Sequence, residues 1–173
     1  MEPVIHVLRL LCRYLNENEL FYVFTGELAL KMLGLAEEVQ SLEVLMNVTP
    51  EQRSRLMNYL AQEGFDIEAR WRGPVELRHK ATGIAVRLRT ARTASETGSI
   101  ARRVPLTLGY SSFFIPSTED LLLTLLEGSP RSATASELYI KWRNFLDMEY
   151  LISSARSRGL YERLIELRKR AEA

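Results

Sequence analysis

A chain of 173 residues, 46% hydrophobic and 26% charged, suits one ordinary domain or one domain with an appended helical lobe, and excludes wholesale disorder, collagen-like and coiled-coil architectures. No apolar run approaches the ~20 residues of a membrane span, and the amino terminus MEPVIHVLRLLCRYLNENEL lacks the continuous apolar stretch and small-residue cleavage site of a signal peptide. The net charge of +1 hides an asymmetry: residues 1–69 carry eleven acids and five bases, residues 70–110 nine bases and two acids, and residues 111–173 nine of each.

Along the chain, Val4, Val7, Leu8, Leu11 and Leu15 recur at helical spacing and Pro3 suits a first turn, so residues 3–17 are expected to form an amphipathic helix. The run Leu20–Phe24 reads as a buried strand. Thr25-Gly26 turns it into a short helix ending at Gly34. Residues 40–48 alternate Leu42, Val44, Met46 and Val48 with Ser41, Glu43, Leu45 and Asn47, the pattern of a second strand. Thr49-Pro50-Glu51-Gln52 is a capping box that starts a helix running to Gly64.

Residues 65–72, 75–80 and 84–89, separated by Arg72-Gly73-Pro74 and Ala81-Thr82-Gly83, predict an antiparallel meander. Residues 91–103 are small, polar and basic and are expected to be an exposed loop, with a last strand within 112–115. Ser117-Thr118-Glu119-Asp120 caps a leucine-rich helix that ends at Gly128. A long helix over 136–156 follows, with Leu138, Trp142, Phe145, Leu146, Met148 and Leu151 as candidates for its buried side. A final charged helix covers 160–171. The order predicts an α+β fold: a small mixed or antiparallel sheet flanked by helices over residues 1–116, then a helical tail over 117–173 packed on that core.

The inventory of reactive groups is thin. Cys12 is the only cysteine, which rules out an intrachain disulfide or a cysteine-ligated zinc and points to a buried thiol in a reducing cytoplasm. There are two histidines, His6 and His79, three aspartates, and 19 Arg against 4 Lys. His6 falls on or near an apolar helical face and reads as structural. His79, between Arg78 and Lys80, is expected to face solvent. No phosphate loop or nucleophile elbow is present. The basic stretch 70–110 either pairs with the acidic first third or forms a basic face. In Arg70-Trp71-Arg72, Trp71 either shares an inward strand face with Ile67 and Ala69 or stacks on bases.

From Phe21 to Val48 the chain resembles the nucleotidyltransferase fold of DNA polymerase beta-like enzymes, in particular the small prokaryotic branch that includes type IV antiphage toxins. In that family a strand, a Gly-Gly or Gly-Ser turn and a short helix precede a strand carrying two acids one residue apart. Here the turn is Thr25-Gly26-Glu27, and thirteen residues separate it from Ser41-Leu42-Glu43-Val44. Residues 50–63 and Gly64-Phe65, the strand Ile84–Leu88, the segment Ile115–Leu121 and the stretch Lys141–Asp147 follow in the family's order. The resemblance implies a cleft made from Thr25, Gly26, Ser41, Glu43, Arg87 and Arg89. It also implies a chemistry in which acids on adjacent strands hold magnesium for in-line transfer and backbone amides at the glycine turn approach a triphosphate.

The sequence departs from that pattern at each chemical position. Ser41 stands where the first acid belongs, Glu43 alone remains of the pair, Arg87 or Arg89 occupies the third acid's place, and Glu27 would set a carboxylate toward a triphosphate. An arginine at a cation's seat repels the cation directly. The expectation is therefore a degenerate site in which Glu43 faces Arg87 or Arg89 as an ion pair, with no metal or cofactor held. Such a protein acts by binding a nucleotide, RNA or another protein, with Arg92, Arg102 and Arg103 as further phosphate or nucleic-acid contacts. An active enzyme would instead need magnesium on Glu43 with a second carboxylate from Glu27, Glu38 or Glu76. A third possibility is an oligomerising module working through the helices at 136–156 or 160–171.

Overall fold

The computed structural model describes residues 1–67 and 73–173, so the expectations for Glu68–Arg72, including both readings of Trp71, lie outside the described residues. Two compact units divide the chain, Met1–Ile115 and Pro116–Ala173.

In the first unit α1 (Glu2–Glu17) presents Val4, Val7, Leu8, Leu11, Cys12 and Leu15 on one buried stripe. Burial pushes the Cys12 thiol up to about 12, which leaves it protonated and unreactive. The strands are β1 (Phe21–Thr25), β2 (Ser41–Asn47), β3 (Phe65–Asp66), β4 (Val75–His79) and β5 (Ala85–Thr90), in the order β1-β2-β5-β4-β3. β2 runs antiparallel to β1 and parallel to β5, and β3-β4-β5 is the expected antiparallel meander. The parallel β2–β5 pair requires a long crossover, and α3 (Pro50–Gln62) with the first strands of the meander supplies it. The Thr49–Gln52 capping box is formed in both directions.

Alternation divides the sheet into two unlike faces. Tyr22, Phe24, Leu42, Val44, Met46, Val86 and Leu88 are fully buried on one. The other carries Thr25, Ser41, Glu43, Arg87 and Arg89, none of them fully buried. Between β1 and β2, α2 (Gly26–Met32) follows the glycine turn.

The first unit departs from the sequence expectations in three places. Residues 91–103 are not a loop: α4 (Ala94–Ala101) starts at a capping box between Thr93 and Glu96 and buries Ile100 against Val23 and Leu45. Its alanines, serines and glycine mask a helix that needs only one large apolar anchor. β6 (Val104–Leu108), missing from the sequence reading, pairs antiparallel with β7 (Ser111–Ile115) as a separate hairpin. His79 does not face solvent: it is buried, with Nδ1 2.9 Å from Thr82 Oγ1 and its ring 5.0 Å from Phe65 and 5.4 Å from His6.

The second unit contains α5 (Thr118–Gly128), α6 (Ala133–Trp142), α7 (Met148–Ser157) and α8 (Tyr161–Glu172). The single helix expected over 136–156 is broken, because Asp147 caps α7 by accepting from the Tyr150 amide at 3.0 Å. Of the residues assigned to its buried side, Leu138 and Leu151 are buried, whereas Phe145 is 78% exposed on the connection. No helix among the described residues is long and apolar enough to cross a membrane.

Candidate functional site

The polar sheet face is assembled by register. Thr25 lies opposite Glu43, Glu43 beside Arg87, and Arg87 opposite Glu76, so one row crosses four strands. Residues two apart on a strand share a face, which adds Ser41 and Arg89 to the same surface.

At the end of β1 the chain turns sharply. Gly26 has a φ of +62°, and a Cβ built there would lie 3.2 Å from Glu43 Oε2. The turn therefore needs glycine twice, for the left-handed backbone and for the carboxylate packed against it. Gly26→Val is expected to cost about 1–3 kcal/mol, read as a lowered urea midpoint, with Gly26→Ala intermediate.

Glu27 has a different role from the one expected. Its Oε2 accepts from the backbone amides of Gln40 at 2.7 Å and Ser41 at 3.1 Å. The carboxylate ties the start of β2 to the first turn of α2 and so sets where Ser41 and Glu43 emerge. Thr25 Oγ1 is buried beside this turn and has no hydrogen-bond partner among the described residues.

Glu43 meets an arginine, and it is Arg89 rather than its register neighbour Arg87. Arg89 Nε stands 3.9 Å from Glu43 Oε1, while Nη1 of the same guanidinium lies 2.5 Å from Glu96 Oε1. The second contact is a charge-assisted hydrogen bond; the first is electrostatic only. All three side chains keep between 23% and 33% of their exposure, so the Glu43 contact contributes no more than about 1 kcal/mol.

Glu96 escaped the sequence reading, although the Thr93–Glu96 spacing is itself a capping-box signature. Its Oε2 accepts from the amides of Arg92 at 2.7 Å and Thr93 at 3.3 Å. Burial opposes ionisation of Glu96, but the Arg92 amide, the Arg89 guanidinium and the Thr93 amide outweigh it and hold its pKa below the ordinary carboxylate value. Arg89 is thereby locked between a helix cap and Glu43 of β2.

The other predicted residues are dispersed. Arg87 and Arg92 are exposed, and neither side chain has an ion-pair partner among the described residues. Arg102 is exposed at the end of α4. Arg103 lies at the far end of β1, its guanidinium 5.0 Å above the Phe21 ring and 4.4 Å above Phe114.

This donor set does not fit magnesium, which takes several oxygen ligands in octahedral array. Glu43 offers one carboxylate, Ser41 a neutral hydroxyl, and Glu27 is engaged by two amides. Arg89 adds a fixed positive charge. Among the described residues no three His, Cys, Asp or Glu side chains are grouped to hold an ion.

In sequence, no family model matches the chain and no curated protein is significantly similar to it. Among solved structures it is similar to the antibiotic-resistance factor ANT(2'')-Ia, with a TM-score of 0.59 and 13% identity over 91% of this chain and 92% of that one. It is also similar to the lincosamide antibiotic adenylyltransferase LnuA, with a TM-score of 0.58 and 12% identity over 84% and 98%. An antigenic nucleotidyltransferase-like protein from Paracoccidioides brasiliensis gives a TM-score of 0.56 and 13% identity over 92% and 90%. With its mixed five-stranded sheet, separate hairpin and carboxy-terminal helices, the chain has a nucleotidyltransferase-like fold.

Proposed function

We propose that this protein is a transferase scaffold that has lost its reaction and retains binding of a phosphate-bearing nucleotide on the polar face of its sheet. Within the fold, the order of its segments favours the small prokaryotic branch that includes type IV antiphage toxins. The observation that carries the proposal is the placement of Arg89, with its guanidinium held between Glu43 and Glu96. There the guanidinium neutralises the acid that would have to hold the divalent ion transfer requires, while its two carboxylate partners leave an anionic ligand to be met by other cations. Arg87 and Arg92, exposed and without ion-pair partners among the described residues, add planar donors suited to phosphate oxygens. The adenylyl transfer named for LnuA and its like is not carried over to this chain, because Glu27 is engaged by two backbone amides and no group of three ligating side chains stands among the described residues.

The test is incubation with labelled nucleoside triphosphates and magnesium or manganese. The expected result is no label transfer above that of Glu43→Ala. Transfer by the native chain that Glu43→Ala abolishes would establish an active enzyme instead. Nucleotide titrated in parallel at 50 and 200 mM salt, about the range over which phosphate contacts weaken steeply, is expected to bind more weakly at the higher salt and in the Arg87→Ala/Arg92→Ala double variant.

A further inference from the structure

Away from Glu43, the same sheet face ends in a cleft of about 640 Å³ whose lining includes Phe21 of β1, Asn47 of β2, Thr97 and Ile100 of α4, and Phe114 of β7, with Arg103 beside them. Phe21 and Asn47 are paired in register, at the opposite end of β1 from Thr25. The two ends are four steps apart along the strand, roughly 13 Å at the usual rise. Between them the buried cluster of Val23, Leu45 and Ile100 closes the face. The cleft is thus a site of its own and not an extension of the Glu43 region.

Its chemistry is specific. The volume falls in the range that small-molecule pockets occupy, and apolar walls with a few placed polar groups, here Asn47, Thr97 and Arg103, are their usual lining. Phe21 is 56% exposed, an unusual state for a large aromatic side chain on a strand. Arg103 is the anchor. Its guanidinium rests on the faces of Phe21 and Phe114, and Nη1 donates to the Ile100 carbonyl at 3.2 Å. Nε is buried with no hydrogen-bond partner among the described residues. No carboxylate among the described residues pairs with it. Two aromatic faces attract the cation, but they neither neutralise it nor satisfy the planar donor fork that Arg presents. A half-buried guanidinium without a counter-ion carries a desolvation cost, and an anion meeting its cleft-facing N–H groups offsets that cost. Asn47 adds an exposed carboxamide at the rim.

We infer that this cleft binds a small organic anion with a flat aromatic body, the body lying against Phe21, Phe114 and Ile100 and the anionic group meeting Arg103. Charge complementarity selects an anion, and the paired phenyl rings select a planar partner over an aliphatic one. The inference stands independently of the proposed nucleotide site.

Two probes that differ only in the anion test it: 8-anilinonaphthalene-1-sulfonate, and N-phenyl-1-naphthylamine, which lacks the sulfonate. Fluorescence titration of the native chain is expected to give one saturable site for the sulfonate and binding at least about tenfold weaker for the neutral probe, the scale of one lost charge-assisted hydrogen bond. Arg103→Met should bring the sulfonate to the neutral probe's affinity and leave the neutral probe within about threefold of its native value. Phe21→Ala should weaken both. Amide and methyl shifts of the native chain provide a readout free of any folding defect in the variants: perturbation should centre on Phe21, Asn47 and Ile100 and spare Gly26 and Glu43. Equal affinity for the two probes, sulfonate binding unchanged by Arg103→Met in a folded variant, or shifts centred away from Ile100 would each overturn the inference.

Discussion

Phe24→Ala is expected to lower the unfolding free energy of the sheet unit by about 3–5 kcal/mol. Phe24 is fully buried on the apolar face of β1 and meets Tyr22 and Phe113 edge-on, with ring centroids 5.7 Å away in each case. Truncation removes the transfer free energy of the ring, leaves a cavity that the rigid strands cannot collapse, and forfeits both edge-to-face contacts. Native domains hold only about 5–15 kcal/mol in total, so the variant should show a much lower urea midpoint at unchanged slope. Phe24→Leu, which keeps most of the volume and loses the aromatic pairs, should cost about 1–2 kcal/mol. Phe24 directly precedes Thr25 and Gly26, so the variant is also expected to blur the placement of Glu43 before it unfolds. A midpoint shift equivalent to less than 1 kcal/mol would mean that β1 does not anchor this core.

Asp120→Ala is expected to destabilise the helical unit by about 2–4 kcal/mol, through the loss of a charge-assisted hydrogen bond and part of a helix cap. Asp120 is 2% exposed in the first turn of α5. Its Oδ1 accepts from the Tyr150 hydroxyl of α7 at 2.7 Å and its Oδ2 from the Ser117 hydroxyl at 3.0 Å, while its own amide donates to Ser117 Oγ at 3.2 Å. Beside it, Glu119 Oε1 accepts from the Asp147 amide at 2.7 Å, fastening the start of α7 to the same turn. Truncation removes the acceptor that both hydroxyls use, at a buried serine and a half-buried tyrosine. Asp120→Asn keeps an acceptor for Tyr150 and should recover about half of the loss. In a double-mutant cycle, Tyr150→Phe should cost less in the Asp120→Ala background than in the native chain. Equal costs in both backgrounds would show that the two side chains do not act together.

The elements read most directly from the chain are those whose signals are local. The stripe of α1, the Thr49–Gln52 box of α3 and the alternation of β2 depend on neighbours three, four or two residues away, and each element lies within a residue or two of its expected bounds. α4 was missed for the opposite reason: one residue, Ile100, gives that helix its purchase, and its partners Val23 and Leu45 are more than fifty positions earlier. β6 escaped because a strand containing Pro105 is credible only once β7 lies alongside it, at an edge where the missing amide hydrogen costs nothing. His79 was misassigned for want of Phe65 and His6, which enclose it only after β3 and α1 come together.

At the site, residue types and their order already indicated a strand–glycine turn–helix–strand frame, one acid, Glu43, on the second of those strands, and Arg87 and Arg89 on a later one. Those features are covalent, and no packing can alter them. Which arginine serves Glu43 was a matter of register and reach. Arg87 is the strand neighbour of Glu43, yet Arg89 makes the contact because Glu96, at the cap of an unforeseen helix, draws its guanidinium to that side. The separation of Arg103 from Arg87 and Arg92 is likewise invisible in one dimension: they share a basic stretch of the chain, but the antiparallel course of β1 and β2 leaves Arg103 over Phe21 while Glu43 pairs with Thr25 at the other end. Charge and residue identity travel with the chain, whereas the distances that turn charges into sites arise only when strands remote in sequence align.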